Sequence, residues 1–374
     1  MKKLLIAVLA VVGLASCTNT VEFEPVQKQI GLSPITQNRT RAMVDGTDFP
    51  EKENFMVWAW YKALDAGTSI ADWQDATAAQ QLYIDEKPFK PKATTKNATG
   101  LWAGVTPYFW PKQGSLLFAG YYPTTAETKT AEDGITYEFD GTKNVMTING
   151  YTPGNYTTTG FVNNGTDANC EEDLMYFKMT AASSDSGTNG AVHINNESNV
   201  DVVFEHALSW IKVTLAKAAD TPDDATITVE SVKFTKVSTT GTGTVADSDK
   251  DGEVENIVWD VTDSPVVEEI EVLKNNATEL GKKTADATKE PIIIPQAMAG
   301  NLVITYTIKS TDNSFFREVK TIPLTGMTDS NKNTLNTWAA GTCYTYNIAI
   351  GTSEILIDPI VTDWAKVEIP VEIK

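Results

Sequence analysis

The chain has 374 residues, is 41% hydrophobic and carries a formal charge of -19 at pH 7. That apolar content over this length is enough for a substantial core and suggests two domains. The acidity, unrelieved by any Lys/Arg cluster, repels a phosphate backbone and excludes nucleic-acid binding as a function class.

The opening MKKLLIAVLAVVGLASC has the three parts of a secretory signal. Lys2 and Lys3 give the positive start, Leu4 to Leu14 the apolar run, and Ala15 and Ser16 the small residues before Cys17. The run is shorter than the roughly 20 residues that a spanning helix needs. Leu14-Ala15-Ser16-Cys17 resembles the lipobox of bacterial lipoproteins, in which the thiol takes a diacylglyceryl group before the peptide is cut. The expectation is a signal peptide over 1–16 and a lipid on Cys17; the alternative is an ordinary signal peptide with an incidental cysteine. Two or more acyl chains anchor stably where one is marginal. No later apolar run is long enough to span, so lipid is the membrane attachment the sequence offers.

Residues 17–41 read as a leader of mixed composition that ends in the basic cluster Arg39-Thr40-Arg41. Beyond it the pattern is strand-like. One stretch, Ile70 to Leu82, suits a short helix that packs Trp73 inward. The run Leu116 to Tyr122 is apolar on both faces, which predicts a strand covered on both sides. Val200, Val202, Phe204, His206 and Leu208 alternate along one face, and the pattern slips register at Trp210 before continuing through Ile211, Val213 and Leu215. That slip predicts a bulge. Leu302, Ile304, Tyr306 and Ile308 repeat the alternation, as do Tyr344, Tyr346, Ile348 and Ile350. Gly, Asn, Asp, Thr and Pro clusters separate these runs, as in antiparallel sandwiches.

The segment Thr180 to Asn199 is small and polar and cannot anchor a core. It sets the expected division into domains at 42–195 and 196–374, with a long loop inside one domain as the alternative. A second polar stretch, Thr239 to Glu253, reads as a flexible hairpin tip. Within it Asp247, Asp249, Asp251 and Gly252 have the spacing of a calcium loop, but Val258 stands where the bidentate glutamate belongs. An acidic hairpin tip is the first reading and calcium the second; no other metal and no cofactor is expected. Cys170 and Cys343 remain beside Cys17; an exported setting permits a bridge, but two free, buried thiols are the first reading.

Several stretches taken together point further. Tyr108-Phe109-Trp110-Pro111, LLFAGYYP over Leu116 to Pro123, and Asp173-Leu174-Met175-Tyr176 come first. VVFEHALSW over Val202 to Trp210, WAAGTCYTY over Trp338 to Tyr346, and Val361-Thr362-Asp363-Trp364 follow. Their order and spacing resemble the fimbrillin family of Bacteroidota, lipoprotein precursors of fimbria subunits. The resemblance implies an all-β fold of two tandem transthyretin-like sandwiches and a place on the outer membrane, facing outward or within a fimbrium. It also implies assembly with other fimbrillin subunits by strand exchange: a leader strand fills a groove, a protease cuts after an arginine, and a neighbour's strand takes the groove. Val21 and Phe23 are the candidate leader strand, and Arg39 and Arg41 the candidate cleavage points. Val367, Ile369, Val371 and Ile373 alternate as a candidate C-terminal donor strand. Pro370 and the shortness of the chain after Trp364 leave this tail open as simply the last strand of the second sandwich.

No nucleophile–base pair or histidine cluster points to catalysis. His206 has no polar neighbour in sequence and reads as a packed, hydrogen-bonded core histidine, not a ligand or catalytic base, and His193 lies in the polar stretch. The expected function is a non-catalytic fimbrial subunit or surface adhesion lipoprotein. A non-polymerising glycan-binding lipoprotein is the alternative, since nine Trp and twelve Tyr include potential stacking platforms.

Overall fold

The computed structural model describes residues 29–36, 54–63, 80–91, 101–111, 114–122, 135–153, 156–157, 160–161, 173–183, 192–193, 200–219, 221–246, 256–262, 266–267, 269–280, 285–286, 291–309, 314–352 and 355–363. Among the described residues every regular element is a strand, so the protein is all-β.

The first sheet closes on itself. In order it runs Met175–Ser183, Val200–His206, Leu32–Thr36, Trp102–Gly104, Gln80–Pro91, Phe55–Lys62 and Ser115–Tyr122, and the last of these pairs back to the first. The strand Ser115–Tyr122 is buried at every position but the last, as its two apolar faces predict. Leu116 and Phe118 face an inner core with Phe55, Phe89, Phe177 and Phe204. Leu117, Ala119 and Tyr121 face a second core outside the sheet.

That outer core is roofed by a sheet built from two hairpins far apart in sequence. Thr136–Asp140 pairs with Val145–Tyr151, which in turn pairs with Gly241–Ala246, and Val258–Asp260 completes the edge. Tyr137, Met146, Ile148, Val245 and Ile257 turn inward, and Trp210 and Cys343 meet them from the later part of the chain.

A third core lies between two further sheets. In one, Ser209–Lys217 pairs in parallel with Thr342–Ile350, and Ile355–Asp363 follows antiparallel. The other runs Ile270–Glu279, Thr226–Phe234, Asn301–Lys309 and Phe315–Pro323. The alternations read at Leu302–Ile308 and Tyr344–Ile350 are these strands, with Leu302, Ile304, Tyr306, Tyr344, Tyr346 and Ile348 in the core. The WAAGTCYTY stretch closes this core by hydrogen bonds: Trp338 Nε1 donates to Tyr346 Oη at 2.9 Å, and Tyr344 Oη donates to the Thr337 carbonyl at 3.0 Å.

Three expectations change. The segment assigned to a helix over Ile70 to Leu82 ends in strand, because Gln80, Gln81 and Leu82 pair with Lys62, Tyr61 and Trp60; residues 70–79 lie outside the described residues. The register slip before Trp210 is no bulge but a change of sheet. Val200–His206 belongs to the first sheet and Ser209–Lys217 to another, with Ala207 and Leu208 buried between them. Val200–His206 hydrogen-bonds there with Leu32–Thr36 and Met175–Ser183. Finally, Gly241–Ala246, within the stretch read as a flexible tip, is a regular strand that buries Val245.

Candidate functional site

Among the described residues, Leu32–Thr36 is the one link in the closed first sheet that comes from ahead of the basic cluster Arg39-Thr40-Arg41. It runs parallel to Val200–His206 along its whole length, Leu32 opposite Val200 and Thr36 opposite Phe204. On its other side contact is thin. Leu32 pairs with Trp102, Gln29 bridges to Phe109, and the Ile30 N–H donates to the Tyr108 carbonyl at 2.8 Å.

Side chains tie it down more firmly than backbone bonds do. Ile30 is 1% exposed and Leu32 is fully buried, both packed in the inner core with Trp102, Trp110, Val200, Val202 and Phe204. Around them Phe55 meets Phe204 edge-on at 5.2 Å and Phe177 meets Phe204 at 5.3 Å. Such ring pairs add about 0.5–1.5 kcal/mol each beyond their buried area. Pro34 is also buried on this face. It falls beyond the Leu32–Trp102 pair, where the Trp102–Gly104 side no longer needs its missing N–H. Without this segment the Val200–His206 edge loses its partner and the inner core an apolar wall, which is an acceptor for a strand with small or branched apolar residues at alternate positions.

The motifs that carry the family resemblance surround this groove. Tyr108 holds Ile30, Trp110 lines the core, and Phe204 pairs with Thr36. Asp173 and His206, from two of those motifs, meet where the first sheet gives way to the next: Asp173 Oδ1 and His206 Nδ1 lie 2.9 Å apart, both side chains almost wholly buried. His206 is thus the packed, hydrogen-bonded core histidine expected, and its partner is a carboxylate remote in sequence, just ahead of the strand Met175–Ser183. The pair has no nucleophile in reach among the described contacts and sits inside packing, where it orients the Leu174 and Ala207 backbones that bond at 2.8 Å.

Of the residues singled out in the sequence, Cys17, Val21, Phe23, Arg39, Arg41, Val367, Ile369, Val371 and Ile373 lie outside the described residues, as do Cys170, Asp247, Asp249 and Asp251. Cys343 is buried. Among the described residues no three metal-ligating side chains cluster. Sequence reasoning missed Ile30 and Leu32. Their signal is the alternation Ile30, Leu32, Pro34 against Gly31 and Ser33, short enough and rich enough in breakers to pass for loop.

Closed sheet, shared hairpin sheet and the core between two further sheets together define a class of multi-sheet β protein whose first sheet is completed by the segment Leu32–Thr36. Comparison with known proteins gives that class its family. The fimbrillin-like family matches residues 40–364, and the chain belongs to it. Among solved structures, a fimbrial protein from Bacteroides vulgatus is 18% identical, with 90% of this chain and 99% of that one covered and a TM-score of 0.52. A candidate cell adhesion protein from Bacteroides uniformis is 15% identical, with 90% and 98% covered and a TM-score of 0.46. A tip fimbrial protein from Porphyromonas gingivalis is 8% identical, with 90% and 100% covered and a TM-score of 0.36. No curated protein matches significantly.

Proposed function

We propose that this chain is a non-catalytic fimbrial subunit or surface adhesion lipoprotein that assembles by protease-triggered strand exchange. The observation that carries the reading is the seat of Leu32–Thr36: a segment from ahead of the arginines fills a slot in the first core, with Ile30 and Leu32 as its plugs. Cleavage after Arg39 or Arg41 severs this segment from the body of the chain, and a strand from a neighbouring subunit replaces it. The tail with Val367, Ile369, Val371 and Ile373 is the donor, and lipid on Cys17 holds the precursor at the outer membrane until the cut. Two tandem transthyretin-like sandwiches belong to the same reading, supported by the third core between its two sheets. Family membership supports fimbrial partners and a place outside the cell.

The test is limited trypsin treatment. Cut chain is expected to lose the 29–36 segment and form ladders of oligomers. Chain carrying R39A and R41A, and cut chain supplied with excess synthetic 29–36 peptide, is expected to form none. A cut chain that releases the segment and still sediments as a monomer with the tail intact overturns strand exchange.

A further inference from the structure

The four-stranded sheet of the second sandwich ends in Phe315–Pro323, sequence FFREVKTIP. It pairs residue for residue with Asn301–Lys309, from Lys309 opposite Phe315 to Asn301 opposite Pro323, without a bulge. Among the described residues no strand pairs its outer edge. The strand displays large apolar groups to solvent: Phe315 is 67% exposed, Phe316 56% and Val319 54%. A straight, apolar, open edge of this length is what folded proteins normally protect against, because its free N–H and C=O groups accept another strand.

The sequence of the edge says which strand fits. Laid antiparallel against a copy of itself about Val319, it places Phe316 opposite Ile322, Phe315 opposite Pro323, and Glu318 opposite Lys320 on both sides of the centre. Opposite charges and apolar pairs facing each other across paired strands are favourable, and like charges there are not. The one lysine that would guard the edge against strangers thus meets a glutamate when the stranger is a second copy. The edge is also prepared for this. Tyr306 Oη donates to Glu318 Oε2 at 2.7 Å, and Arg317 is drawn onto the neighbouring strands by Glu230 at 2.8 Å. Glu318 is thereby held, and Arg317 is kept from competing for it. In a chain of charge -19, a strand with Arg317 and Lys320 against Glu318 is a place where two copies approach without local repulsion.

We infer that two copies of this protein associate side by side about a twofold axis, through antiparallel pairing of the Phe315–Pro323 edges into one continuous eight-stranded sheet. Such a contact is isologous and closes at two copies. It lies apart from the Leu32–Thr36 groove and needs no cleavage, so it stands or falls separately from strand exchange.

Sedimentation velocity on the full, uncut chain in mild detergent tests it. The expected result is a concentration-dependent monomer–dimer equilibrium. E318K and K320E are each expected to weaken it about tenfold or more, by setting like charges opposite one another twice over. The double variant E318K/K320E, which restores both pairs with the signs exchanged, is expected to dimerise as the parent does. That rescue separates a lost contact from a lost fold. A chain monomeric at every concentration, a dimer indifferent to the single substitutions, or a double variant no better than the singles overturns the proposal.

Discussion

Glu86 holds a backbone conformation rare for its type, with φ of 43°, at a kink in the pairing of Gln80–Pro91 with Phe55–Lys62. Its carboxylate accepts a hydrogen bond from Tyr121 Oη at 2.6 Å, and that ring stacks on Tyr137 at 4.0 Å. Burial raises its pKa above the ordinary 4.5, and the Tyr121 bond only partly offsets this. The folded state therefore binds the proton more tightly than the unfolded chain does. Its contribution is present in full below pH 4.5 and is lost as pH rises through the raised value. Glu86→Gln should flatten this decline, so that thermal melts between pH 4.5 and neutrality fall less steeply than the parent's. An unchanged slope would show that burial does not control this carboxyl. None of this is legible in the sequence, where Asp85-Glu86-Lys87 looks like an ordinary charged loop. Asp173 and His206 were hidden in the same way, because the partner of each is supplied by a strand pairing that no local pattern encodes.

At the scale of the element, the familiar LLFAGYYP stretch has a steric explanation. Gly120 lies in a strand covered on both sides, and a Cβ there would come within 2.2 Å of the Phe177 ring and 2.3 Å of the Met56 carbonyl. The backbone oxygen cannot step aside, so Gly120→Ala should cost about 1–3 kcal/mol or more, the range for overpacked cores, measured as a lower midpoint in urea. A midpoint within error of the parent would mean that the strand can shift as a body. Strands of this kind were readable because their periodicity is local: Leu302 to Ile308 and Tyr344 to Ile350 announce one buried face each. What joins them was not. The parallel pairing of Ser209–Lys217 with Thr342–Ile350 spans more than a hundred residues, and the change of sheet at Ala207–Leu208 looks in sequence like one strand with a slip. The groove was half-legible. Arginines and a leader could be seen, but Leu32–Thr36 carries Ser33 and Pro34, and its burial depends on Trp102 and Phe204, far along the chain.

For the molecule as a whole, the sheet built from two hairpins matters most. Val145–Tyr151, from the earlier part of the chain, and Gly241–Ala246, from the later part, are hydrogen-bonded neighbours. The core beneath them draws on Trp58 and Tyr121 as well as Trp210 and Cys343. Neither part can lose its structure without stripping that core from the other, so calorimetry should show a single cooperative transition whose calorimetric and van't Hoff enthalpies agree. Two resolved peaks would mean that the shared core is too weak to couple them. The same arrangement has a mechanical side. Swinging the earlier part away from the later part would have to break the row of backbone bonds between Val145–Tyr151 and Gly241–Ala246 together with the core beneath it. The seam is thereby stiffened against hinge motion.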